Sequence, residues 1–216
     1  MAKTLYSLML SEEVVNAVDI LAHRTGLTRS ALVNKILAEY VSFETPETTV
    51  SNILREMESL FAPQSELVPL FSPNSKSMSI KSSLAYKYRP TVRYEVDLDP
   101  SLKNMMGSLT VVFRTQSVSL INELTEFLKL WVRIENKLLS PITGKILECA
   151  LYDGKFIRPL MLPDLQKVSS EDIAREINNY ISLFDSCLKA YLRRDINEYG
   201  ILENYRLSLN SRKFLI

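Results

Sequence analysis

The side chains able to ligate metals, attack electrophiles or carry electrons are few and scattered. His23 is the single histidine, and Cys149 and Cys187 are the two cysteines. Neither a Cys/His metal cluster nor a disulfide framework can be built from them. No GxSxG, P-loop or GxGxxG motif occurs among the five glycines. His23 falls near the end of an amphipathic stretch, where a cation complements a helix dipole, and reads as solvent-facing. Both cysteines lack an activating neighbour and read as small apolar core groups. No catalytic residue, metal or cofactor is expected. What remains is the chemistry of recognition: Lys3 and Ser7 alternating with Leu5 and Met9, and the run Thr28-Arg29-Ser30 ahead of an apolar stripe.

Composition bounds the partners. The 216 residues are 46% hydrophobic and 24% charged, with 26 basic and 25 acidic groups, ordinary globular proportions that set aside disordered and collagen-like classes. No apolar run reaches the roughly 18 residues of a membrane span. The start MAKTLYSLMLSEE lacks the pattern of a signal peptide, and the expected location is the cytoplasm. A net charge of +1 removes any bulk-charge argument for nucleic acid, so such a claim must rest on local geometry.

The elements that position these residues follow from patterning. Residues 3–10 alternate, with Tyr6, Leu8 and Leu10 on one face and Lys3, Leu5, Ser7 and Met9 on the other. Ser11 is a natural N-cap, with Glu12 and Glu13 in the first turn. Val14, Val15, Val18, Leu21 and Ala22 then recur at helical spacing until Gly26, a helix stop. Thr28 caps a second helix with the stripe Leu32, Val33, Ile36, Leu37, Tyr40 and Val41. A third helix begins near Thr48, behind Pro46, and carries Val50, Ile53, Leu54, Met57, Leu60 and Phe61.

A strand and two helices in about 40 residues cannot close a core alone. The strand has one apolar face and no partner in its own module, and unpaired strand edges aggregate. A symmetric dimer solves both problems: two copies of strand 4–10 pair antiparallel, and helices of both chains enclose Tyr6, Leu8 and Leu10. The opposite face of that ribbon is then open, and a two-stranded ribbon fits the major groove of B-DNA.

Residues 3–41, KTLYSLMLSEEVVNAVDILAHRTGLTRSALVNKILAEYV, resemble the ribbon-helix-helix family of Arc- and MetJ-like repressors, which read DNA with β-ribbons. The resemblance rests on the alternating strand, the Leu10-Ser11-Glu12 junction and the Gly26-Leu27-Thr28-Arg29-Ser30 turn, and covers under a fifth of the chain. It implies sequence reading by Lys3, Leu5, Ser7 and Met9, and phosphate anchoring at the start of the second helix by Thr28, Arg29 and Ser30. Free N–H groups at a helix start and the Arg29 guanidinium make physical sense of that anchoring. Family members commonly carry hydrogen-bonding side chains on the outward strand face. Here Leu5 and Met9 offer only apolar contact, as to thymine methyls.

Beyond this module, residues 62–83 hold three prolines and seven serines, the composition of a connecting linker. Residues 84–216 read as an α+β domain. Its alternating segment 86–98 puts Lys87, Arg89 and Arg93 on one face, with Tyr86, Tyr88 and Tyr94 on the other. That is either an auxiliary nucleic-acid surface or an ordinary half-buried strand with a solvated basic side. A partner strand spans 109–114, long helices span about 117–139 and 170–192, and Asp153-Gly154 turns a hairpin. A last strand is expected near 205–209.

The expected fold class is thus α+β: a ribbon-helix-helix dimerisation module with an additional helix over 1–61, a linker, and an α+β domain that oligomerises or binds a ligand or protein partner. The expected function is a homodimeric regulator that occupies double-stranded DNA and performs no chemistry. The competing reading is a protein-interaction adaptor, antitoxin- or scaffold-like, whose N-terminal module only dimerises.

Overall fold

Local caps and stops set the first two helices. In the computed structural model, which describes residues 5–41, 43, 45–64, 66–71, 76–86, 89–99, 105–152, 154–161 and 168–212, α1 (Glu12–Thr25) begins after Ser11 and ends at Gly26. Gly26 sits at φ 66°, and the Leu27 N–H closes back on the Ala22 carbonyl at 3.0 Å, as a left-handed glycine stop requires. α2 (Arg29–Tyr40) is capped by Thr28, whose Oγ1 accepts from the Ala31 N–H at 3.2 Å. Ser11 is extended and its side chain makes no cap bond.

The chain divides into two units, Met1–Thr45 and Pro46–Ile216. The first holds α1, α2 and the segment before them. The second is an α+β body. It contains α3 (Pro46–Phe61), β1 (Leu67–Phe71), β2 (Ser77–Ser83), β3 (Thr91–Leu98), β4 (Met105–Arg114), α4 (Val118–Thr143), β5 (Ala150–Tyr152), β6 (Lys155–Met161), α5 (Ser170–Leu192) and α6 (Glu198–Ser211). All strand pairings are antiparallel, in the order β1-β2-β3-β4-β6-β5.

Alternation decides which side of the sheet carries the core. Met78 and Ile80, then Val92, Tyr94, Val96 and Leu98, then Leu109, Val111 and Phe113 are buried in one cluster. The stripes of α3, α4, α5 and α6 join that same cluster through residues such as Met57, Trp131, Phe184 and Tyr205. These four helices therefore cover one face of the sheet. Phe184 is its centre, edge-on to Tyr94, Phe127 and Trp131 and stacked on Phe156 at 6.1 Å. At Gly107 the β4 register shifts, and a Cβ there would lie 1.8 Å from the Asp97 carbonyl oxygen. That close approach admits only glycine.

Four sequence expectations change. Residues 62–83 are not a linker, because they contain β1 and β2. The serine count hides an alternation in which Met78, Ile80 and Ser82 point inward and Ser77, Ser79 and Lys81 outward. Pro69 is tolerated because β1 is an edge strand. The third helix does not extend the N-terminal module, since Val50, Ile53, Leu54, Met57 and Phe61 are buried in the larger unit. The chain at 205–209 is helical: Ile201 and Tyr205 are buried four residues apart, a spacing that suits α6 and no strand. Finally, residues 5–10 carry no strand ladder in the single chain, and the first regular element among the described residues is α1. A ribbon built from two copies would have its hydrogen-bond partners on the second copy.

Among the described residues no helix is long and apolar enough to cross a membrane.

Candidate nucleic-acid interface

The smaller unit is short of a core. Among its described hydrophobic residues, only Ala22, Leu32 and Ala38 are buried. More than half of the large hydrophobic side chains exposed among the described residues belong to this unit, including Ile20, Leu21, Ile36, Leu37 and Tyr40. The helical stripes that the spacing assigns to a core are thus largely open to water. The segment before α1 shows its own two-fold alternation. Leu8 and Leu10 are 50% and 48% exposed, whereas Leu5 and Met9 are 95% and 102% exposed. Tyr6, on the Leu8 face, is 81% exposed.

Leu5, Ser7 and Met9 all stand exposed, and Lys3 lies outside the described residues. At the start of α2, Thr28, Arg29 and Ser30 are exposed. Thr28 satisfies the third N–H of the helix, that of Ala31. Among the described residues no acceptor is found for the N–H groups of Arg29 and Ser30, so two donors and the positive end of the helix dipole face outward together. The Arg29 guanidinium is already engaged: Nε and Nη2 donate to the two carboxylate oxygens of Asp19 on α1. Lys35 lies 4.0 Å from Glu39 on the same helix. His23 is exposed in the last turn of α1.

Of the auxiliary basic residues, Arg89 and Arg93 do not share a strand. β3 begins at Thr91, and Arg89 stands in the preceding turn at φ 43°, its N–H bonded to the Tyr86 carbonyl at 2.9 Å. Pro90, which has no N–H to give to a ladder, falls between that turn and the strand. Lys87 and Tyr88 lie outside the described residues. Arg93 is on β3, directed away from the core and 3.5 Å from Glu95. Tyr94 is core, its hydroxyl donating to Asp185 at 2.8 Å.

Two charged networks that the sequence reading missed lie inside the larger unit. In the first, Arg158 Nε donates to Glu135 Oε1 at 2.7 Å, and the Tyr205 hydroxyl donates to the same oxygen at 2.9 Å. The Tyr180 hydroxyl donates to Oε2 at 3.3 Å and accepts from Trp131 Nε1 at 2.9 Å. Arg158 also stacks on the Tyr180 ring, 4.3 Å from its centroid. Burial alone would lower the Arg158 pKa, but Glu135 outweighs it and the guanidinium stays charged. Burial, then Glu135, raises Tyr180 and Tyr205 far above the usual phenol range. Both charges are fully sealed from solvent, so the network holds β6, α4, α5 and α6 together and offers nothing to a substrate. In the second, Lys189 bridges Asp185 and Glu66 at 2.7 Å each. Its pKa is raised although burial opposes this.

Cys149 and Cys187 are free thiols. Burial pushes the Cys149 thiol up to about 12, and burial raises Cys187 as well. Among the described residues no group of three metal-ligating side chains comes together. A groove of about 850 Å³ lies between α4 and the turn from α5 to α6. The cations lining it are matched by acids: Arg133 pairs with Glu198 at 2.9 Å, and Arg194 with Glu123 at 3.1 Å.

No protein-family model, no curated protein and no solved structure matches the chain.

Proposed function

We propose that the chain is a homodimeric, sequence-selective DNA-binding regulator of the cytoplasm, acting by occupancy and not by catalysis. The observation that carries this reading is the unclosed core of the first unit. Its apolar helix stripes and the Tyr6-Leu8-Leu10 face stay open to water in one copy, and a second copy supplies both the missing core and the missing strand partner. Pairing through residues 4–10 leaves Leu5, Ser7 and Met9 outward on a two-stranded ribbon of the width that enters a major groove. The exposed start of α2 then offers backbone donors to a phosphate.

A second reading has its own support. The first unit carries as many acids as bases over residues 1–43, and Arg29 is held by Asp19. Both features suit an adaptor that dimerises through this unit and engages a protein partner elsewhere.

Titrating binding to genomic DNA fragments against salt separates the two. A regulator selects particular fragments and loses affinity steeply as salt rises. An adaptor binds none of them better than bulk DNA, and that result overturns the proposal.

A further inference from the structure

The side of the sheet opposite α3, α4, α5 and α6 has an ordered charge pattern that single strands do not reveal. Register aligns Val68, Lys81, Arg93, Val112, Lys155 and Tyr152 in one row across all six strands. Neighbouring strands lie about 4.8 Å apart, so three cations stand along a line of roughly 14 Å, at right angles to the strands. Arg114, opposite Thr91, adds a fourth in the adjacent row. Lys81, Arg114 and Lys155 are exposed, and no ion pair involves them among the described residues. The acids of this face, Glu95 and Asp97, both lie on β3 in the other two rows. Among the described residues, the two rows of this half carry four cations and no acid, and Glu95 of the neighbouring row reaches across to Arg93 at 3.5 Å.

We propose that this basic half-face binds the phosphodiester backbone of duplex DNA, adding cationic phosphate contacts in the second unit to those offered by the start of α2 in the first. The inference rests on the regulator reading for its partner, and on charge complementarity for its site. Duplex is favoured over single strand because the row offers cations and almost no stacking surface. Its sole aromatic, Tyr152, is at the edge, and Tyr94 of the central strand β3 is turned into the core. Sheets that bind single strands present aromatics to unstacked bases.

The test compares the full chain with the variant Lys81→Gln/Arg93→Gln/Lys155→Gln and with the control Lys137→Gln/Lys145→Gln/Arg206→Gln. The probe is a labelled 30-base-pair duplex, read over a salt series, with a single strand of equal length and the genomic fragments as further arms. The sheet variant is expected to lose at least tenfold in affinity on every duplex, and about 2–3 from the slope of log affinity against log salt, at about 0.9 per phosphate contact. The control keeps both. If the sheet variant retains the wild-type slope while fragments are still selected, the inference falls and the regulator reading stands. Sequence-blind duplex binding that the sheet variant abolishes leaves the inference standing and removes the regulator reading. Preference for the single strand, or no binding to either form at low salt, overturns the duplex assignment.

Discussion

Arg29, the first residue of α2, places its guanidinium fork on both carboxylate oxygens of Asp19, near the middle of α1. The pair ties the start of the second helix to the first, and it occupies the one side chain at that start best suited to a phosphate. Both groups are solvent-accessible, so the clasp is weak. An exposed ion pair contributes roughly 0–1 kcal/mol.

Releasing Arg29 should therefore strengthen DNA binding modestly. Asp19→Asn is expected to tighten affinity by up to about fivefold, the equivalent of about 1 kcal/mol, on specific and non-specific duplexes alike. Arg29→Ala should weaken both, since phosphate contacts position without reading sequence. Fluorescence anisotropy at fixed salt checks this. An Asp19→Asn protein that binds no better than wild type would remove Arg29 from the interface.

Dimerisation through the first unit predicts opposite outcomes on two faces of one segment. Leu8→Glu puts a charge on the face that a second copy must cover, and sedimentation velocity at micromolar concentration should show monomers. Leu5→Glu, on the outward face, should leave the dimer intact. Urea unfolding of the larger unit should be the same in both. Equal effects of the two substitutions on assembly would remove the alternating ribbon from the proposal.

Much of the larger unit was legible because its core side chains repeat with clear period. On α4, Leu120, Leu124, Phe127, Trp131 and Ile134 are buried as spaced and Leu138 partly so, and on α5 the stripe from Ile173 to Leu188 is buried and Tyr191 partly so. The turn at Gly154, φ 69°, separates β5 from β6 where Asp153-Gly154 predicts it. Composition misled at 62–83, where serines on a solvent-facing strand side resemble a linker. The Glu135–Arg158 pair had a signal on each side: Glu135 follows Trp131 by one helical turn, and Arg158 alternates between Phe156 and Leu160. That an inward acid meets an inward base depends on how α4 crosses the sheet, which periodicity does not encode. Lys81, Arg93 and Lys155 lie far apart in sequence and become neighbours only through strand register.

The buried pair sets a mutational asymmetry. Glu135→Leu removes from the core the carboxylate that the sealed Arg158 charge meets at 2.7 Å and should cost about 3–5 kcal/mol. Removing both charges in Glu135→Leu/Arg158→Met should recover much of that loss, because an apolar pair carries no desolvation penalty. Urea unfolding of the single and double variants measures the coupling. Additive losses would mean that the two side chains act independently, against the 2.7 Å bond between them.

Protons held by the folded state make the larger unit sensitive to alkali. Burial raises Cys149 and Cys187 from 9.0, with Cys149 reaching about 12, and it raises Tyr94, Tyr180 and Tyr205 from 10.0. Each group ionises in the unfolded chain before it does so in the fold. Below about pH 9 both states keep these protons and stability is independent of them. Above it the unfolded state binds fewer protons than the native one, and stability falls as pH rises. The decline should begin with the thiols between pH 9 and 10 and steepen once the unfolded phenols ionise. Urea midpoints taken from pH 7.5 to 10.5 should be flat at first and then drop. Cys149→Ser should flatten the segment between pH 9 and 10 and leave the steeper part. A wild-type profile level up to pH 10.5 would mean that these side chains reach solvent, contrary to the packing around Phe184 and Glu135.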